Sequence, residues 1–205
     1  MATFTNLEIR DIIISILLVS IIFWVYLFDF PSLIGFFSSL VIVFFSFFLH
    51  EMGHKFAARR LGCIATYKTW SVGILIGLVS IIFGMISAIF GMIGIGIVFI
   101  AVGGVEIMPY SFGRWGFKVV KLGQKEMGLI SLAGVGLNVF FAVFFKLFPG
   151  VIFQKLSYFN GLFAIFNLIP FPPLDGTKIF VWKEWLWVFL VFVSVLSVLS
   201  SLGII

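Results

Sequence analysis

The chain has 205 residues, of which 62% are hydrophobic and 10% charged, with a formal net charge of +5 and a mean hydropathy of +1.28. Soluble domains carry roughly 25% charged residues, so this composition excludes a water-soluble enzyme and indicates a polytopic membrane protein. The positive charge would suggest nucleic acid in a soluble chain; beside apolar spans it is explained by membrane orientation, and no DNA-binding module is visible.

The first apolar run follows Glu8, Arg10 and Asp11 and has no small-residue cleavage site after it. It is therefore expected to be a retained span over 12–28 rather than a removable signal peptide. No charge occurs between Asp29 and His50, which approximates the roughly 20 apolar residues needed to cross a bilayer. The next uncharged stretch covers 37 residues between Lys68 and Glu106. Further spans are expected between Glu126 and Lys146, between Lys155 and Asp175, and after Glu184, where Trp182, Trp185 and Trp187 fit an interfacial aromatic belt. The single cysteine, Cys63, cannot form an intrachain disulfide and is read as a packing residue. The expected fold is an all-α polytopic membrane protein with five to seven transmembrane helices. It forms one domain over 1–205, with a core at about 35–180 and peripheral spans at 12–28 and 185–205.

Lysines and arginines set the orientation. Arg10, Lys55, Arg59, Arg60, Lys68, Arg114, Lys118, Lys121, Lys125, Lys178 and Lys183 gather on one side, and only Lys146 and Lys155 on the other. The first group is expected to face the cytoplasm, with the N-terminus, in a multi-pass protein of the cell membrane. The stretch 69–105 must then leave and return to the same face, as a re-entrant segment, a partly β segment or two short spans. Gly84, Gly91, Gly94, Gly96, Gly103 and Gly104 disfavour a continuous helix there, whereas Gly73 and Gly77 suit a small-residue helix contact. Ile97-Val98-Phe99-Ile100 and Gly104-Val105-Glu106-Ile107 are β-prone. Arg114, Lys118, Lys121 and Lys125 recur at helical spacing, suited either to anionic headgroups or to a solvated loop.

The only two histidines of the chain lie in His50-Glu51-Met52-Gly53-His54, at the far end of the second span. Four residues apart on a helix, both imidazoles fall on one face and can converge on one ion. Glu51 then borders the ion without ligating it and can take a proton from a metal-activated water, which makes HExxH a hydrolase signature. Ionisable residues at hydrocarbon depth are costly and are functional candidates by default. A zinc ion with two histidines wants a third protein ligand. Downstream, Pro170, Pro172 and Pro173 interrupt the helix before Asp175-Gly176 and put Asp175 on irregular backbone at the level of the histidines. Asp175 is either that ligand or a turn residue before glycine.

Three segments together resemble the site-2 protease family. His50-Glu51-Met52-Gly53-His54 resembles its HExxH, Ser131 to Asn138 its GPxxN segment, and Asn167 to Gly176 its NxxPxxPLDG, in the family's order. The resemblance implies an intramembrane zinc metalloprotease that hydrolyses peptide bonds in or near transmembrane segments of membrane-protein substrates. It further implies one zinc ion per chain held by His50, His54 and Asp175, with Glu51 as general base and acid, and β-structure between the two core helices. Asn167 is a candidate oxyanion donor, and Asn138 a candidate for orienting substrate or bridging helices. Val135 stands where the family has proline. A divalent-metal transporter would also bury such groups, but along a path in paired repeats, and none is seen; an inactive scaffold would not need Glu51.

Overall fold

The computed structural model describes residues 4–27, 31–89, 102–113 and 116–204. Its elements are α1 (Asn6–Leu27), α2 (Leu33–Arg60), β1 (Ile64–Thr69), α3 (Ser71–Ile89), β2 (Gly103–Met108), β3 (Tyr110–Gly113), β4 (Gly116–Val119), α4 (Gln124–Phe144), α5 (Val151–Asn167), α6 (Asp175–Trp182) and α7 (Glu184–Ser201). Among the described residues, four helices are long and apolar enough to cross a membrane: Asn6–Tyr26, Leu33–Arg60, Gln124–Leu147 and Glu184–Ser201. Large side chains such as Ile34, Phe37, Phe83, Val151 and Phe192 lie exposed along the helices, an arrangement stable against lipid and not against water. The protein is an all-α membrane protein with two small two-stranded sheets.

The chain forms two compact units, Met1–Phe48 with Thr66–Glu106 and Leu49–Ala65 with Ile107–Ile205, and α2 contributes to both. In the first unit α1 packs on α3. A Cβ at Gly77 would meet the Leu18 side chain and one at Gly84 the Tyr26 ring, so these glycines act as the small residues of a close helix contact. The helix α3 runs through Gly73, Gly77 and Gly84 without a break. Glu8 and Asp11 are not merely flanking charges: they lie inside α1 and fasten β1. Glu8 Oε1 accepts the Tyr67 N–H at 3.1 Å, Asp11 Oδ2 accepts the Thr69 N–H at 3.3 Å, and Ser15 Oγ lies 2.7 Å from the Tyr67 hydroxyl. The strand β1 pairs with β2, which contains the expected Gly104–Ile107 segment; Ile97–Ile100 lies outside the described residues.

In the second unit α4 packs on α5 and α6, and α7 on α5 and α6. Val135, Val139, Ala164, Leu168, Ile179 and Leu190 form its core. Val135 is fully buried and α4 is continuous through it; valine there keeps the backbone N–H that a proline would remove.

The basic segment before α4, open between a helix and a loop in the sequence, is not one helix. Lys118 is not on a helix with Lys121 and Lys125: it lies on β4, opposite Ser111 of β3, in a hairpin closed by the Gly113↔Gly116 pair. Gly116 has φ +115°, a conformation that suits glycine and ends any helix. Arg114 and Trp115 lie outside the described residues. The three tryptophans of the expected belt differ in their surroundings. Trp187 donates its indole N–H to the Leu168 carbonyl at 2.7 Å and Trp182 packs over Gly128, while Trp185 alone of the three is exposed.

Candidate metal centre

The His50 to His54 turn of α2 belongs to the second unit, as do α4, α5 and α6. The close approach of α2 to α4 is set by two glycines. A Cβ on Gly53 would run into the Ala133 carbonyl, and one on Gly134 into the His54 ring. No larger residue fits either position without moving the helices apart.

Asp175 reaches the same place from another element. The three prolines are confined to the turn between α5 and α6, with a cis bond joining Pro172 and Pro173. Leu174, extended at φ −63° and ψ 158°, caps α6. Asp175 is therefore the first residue of a helix rather than part of irregular backbone, a position where a carboxylate also suits the helix dipole. Gly176 lets this helix start close against the Leu168 carbonyl.

The three side chains converge. His50 Nε2 and His54 Nε2 are 2.9 Å apart, and Asp175 Oδ2 lies 2.9 Å from His54 Nε2 and 3.4 Å from His50 Nε2. All three residues are buried, and among the described residues they form the one cluster able to hold a metal ion. Ligands at about 2.0–2.1 Å in a tetrahedral zinc site stand about 3.3 Å from one another; the 3.4 Å separation matches that value and the two of 2.9 Å are shorter, so the three atoms are close enough to share one ion. The protonation pattern fits as well. His54 Nδ1 lies 2.9 Å from the Ile130 carbonyl, which only accepts, so Nδ1 carries the proton and Nε2 presents a lone pair. His50 Nδ1 lies 2.6 Å from Asn138 Oδ1, with the same result. Three acceptor atoms therefore face one another, an arrangement that repels unless a cation sits between them.

Glu51 is 4% exposed, and its Oε2 is buried without a hydrogen-bond partner among the described residues. A carboxylate oxygen left unmatched at that depth is costly and is free for a reacting molecule. The His50 ring packs edge-on against Phe163 at 5.3 Å between centroids, closing that side to polar groups.

The supporting contacts come largely from α4. Besides Ile130 and Asn138, Ser131 Oγ donates to Asp175 Oδ1 at 2.8 Å, and Lys178 Nζ reaches the same oxygen at 3.3 Å. Asn138 Nδ2 in turn donates to Asn160 Oδ1 at 3.0 Å. Asn138 is thus placed on His50 and bridges α2, α4 and α5. The Asn167 Nδ2 donates to the Phe163 carbonyl of its own helix at 3.0 Å. Ser131 and Asn160 were missed from sequence. Ser131, Gly134 and Asn138 recur at i, i+3 and i+7, one face of a helix, and that small and polar stripe in an apolar run was the available signal.

No family model matches the chain, and no solved structure does. A protein of Methanocaldococcus jannaschii named "putative zinc metalloprotease" is 32% identical over 195 residues, an alignment covering 90% of this chain and 88% of that protein. Likeness over nearly the whole of both chains, with a buried donor set suited to zinc at its centre, means that this chain belongs to the same zinc metalloprotease family.

Proposed function

We propose that the protein is an intramembrane zinc metalloprotease of the site-2 kind, hydrolysing peptide bonds in or near transmembrane segments of its substrates. The observation that carries this reading is the convergence of His50, His54 and Asp175, with the Oε2 of the neighbouring Glu51 buried and without a partner among the described residues. His50, Glu51 and His54 lie on α2, a helix that is itself long and apolar enough to span the membrane, and Asp175 joins them from α6. His50, His54 and Asp175 would hold one zinc ion, which when bound supplies Lewis acidity, polarising the scissile carbonyl and making water more acidic.

Proton movement falls to Glu51. Its Oε2 takes a proton from the attacking water as the water oxygen bonds to the carbonyl carbon. It returns that proton to the amine nitrogen as the C–N bond breaks, so one water is consumed and Glu51 ends as it began. Asn138 and Ile130 hold the imidazoles, and Ser131 and Lys178 hold the outer oxygen of Asp175. An oxyanion role for Asn167 requires its amide to leave the Phe163 carbonyl during the reaction. A helical substrate must unwind before its carbonyls can be attacked, and a strand such as β2 is of the kind that takes up an extended peptide by main-chain hydrogen bonding. Lys55, Arg59 and Arg60, at the end of α2 that carries the site, support a cytoplasmic placement of this end.

The test is cleavage of a panel of single-span membrane peptides by purified protein in detergent, with zinc content measured alongside. Wild type is expected to carry zinc and cut within the span. Glu51→Gln should keep its zinc and cut roughly 10²- to 10⁴-fold more slowly, the range for losing a general base. Equal rates would remove Glu51 from the mechanism, and absence of zinc from the wild type would overturn the centre. Zinc flux through liposomes in the absence of any cleavage would favour a transporter.

A further inference from the structure

We propose that Asn160 is a positioning residue of the metal centre: a buried relay from the Leu156 carbonyl through Asn160 and Asn138 fixes which nitrogen of His50 faces the ion. The inference rests on the reading of His50, His54 and Asp175 as zinc ligands. It concerns two histidines that meet the same requirement in different ways. His54 is held by a backbone carbonyl, which can only accept, so its Nδ1 must be protonated. His50 is held by an amide side chain, which can accept through oxygen or donate through nitrogen. A flipped Asn138 would offer its NH₂ to Nδ1 and stabilise the tautomer with the proton on Nε2, the one that cannot bind metal.

The contacts around Asn160 remove that ambiguity. Asn160 Nδ2 lies 2.9 Å from the carbonyl of Leu156, one turn earlier in α5. Because that carbonyl accepts only, the Asn160 NH₂ must face it, which turns Oδ1 toward Asn138. At 3.0 Å from Asn138 Nδ2 that oxygen takes a donor, which turns Asn138 Oδ1 onto His50 Nδ1 at 2.6 Å. Each step leaves the next with a single orientation. Both asparagines are 1% exposed, and each amide is matched on both sides within the protein. A partner that orients a ligating histidine typically changes metal affinity 10- to 100-fold when removed, and Asn160 acts through one further residue.

A relay can be separated from plain helix packing by a double-mutant cycle on the full-length protein in detergent, with zinc affinity read by chelator competition and ligand geometry by the visible spectrum of the cobalt(II) form. Asn160→Leu is expected to weaken zinc by about 10- to 100-fold and to alter the cobalt spectrum. In an Asn138→Asp background both oxygens at position 138 accept, so no amide orientation remains to be set, and Asn160→Leu should then leave the affinity unchanged or raise it. A packing role predicts the same loss in both backgrounds, and that result, or no loss in the wild-type background, overturns the relay. Asn160→Ala runs the same cycle should the leucine variant not fold. A wild type that binds no zinc overturns the metal centre itself; a wild type that binds zinc with a flat cycle overturns the relay alone.

Discussion

Two buried groups of carboxylates in this protein are built to opposite rules. In the first unit Glu8 and Asp11, 2% and 7% exposed, each accept a backbone N–H from β1. Their lone pairs meet donors, and the result is a fastened strand. In the second unit Asp175 is also 7% exposed, but its Oδ2 faces two imidazole nitrogens that carry lone pairs of their own. Burial alone does not distinguish the two. Direction does: where acceptors meet donors the group is structural, and where acceptors meet acceptors the fold has left room for a cation.

The sharpest way to break this contrast is Asp175→Ala, which removes one of the three proposed ligands. Zinc content and peptide cleavage should both fall below detection, and retention of stoichiometric zinc would show that the ion is held elsewhere. Gly134→Ala comes next, because the new methyl group collides with the His54 ring. Overpacking of this kind costs about 1–3 kcal/mol, and here it is aimed at a ligand, so zinc affinity should drop more than thermal stability. Ser131→Ala takes a hydrogen bond from the outer oxygen of Asp175 and leaves Lys178 in place. The expectation is about 10-fold weaker zinc, at the lower end for supporting contacts, by chelator competition. At the other cluster, Glu8→Ala removes the carboxylate that accepts the Tyr67 N–H and should cost about 1–3 kcal/mol of stability while leaving zinc binding as it was. A change in zinc affinity there would erase the distinction between the two groups.

Much of this was legible in the chain itself, for reasons that differ by element. Four spans were readable because charges are scarce and the gaps between them match a bilayer; the crossing expected between Lys155 and Asp175 holds α5, 17 residues long and not among those four. His50 and His54 were readable because a helix puts i and i+4 together whatever surrounds it. The break made by its prolines left Asp175 open between a ligand and a turn residue, and the family resemblance singled it out; the break closes sooner than three prolines suggested, and Asp175 begins α6. The misses share a cause. Ser131 and Asn160 matter through what they touch on other helices, 44 residues away in the case of Ser131 and Asp175, and no local pattern reports such a distance. The basic residues from Arg114 to Lys125 have helical spacing, but Gly113 and Gly116 make a hairpin of part of that segment. Short periodicity was the weaker signal there.

The helix α4 supplies none of the proposed ligands, yet its Ile130, Ser131 and Asn138 touch His54, Asp175 and His50 in turn. At 1.5 Å rise per residue those contacts are spread over about 12 Å of one continuous rod. The spacing of the candidate metal donors is therefore calibrated by helical pitch rather than by any loop. A slip of α4 along its axis would detune all three at once, while bending of the turns at either end would leave the gauge intact.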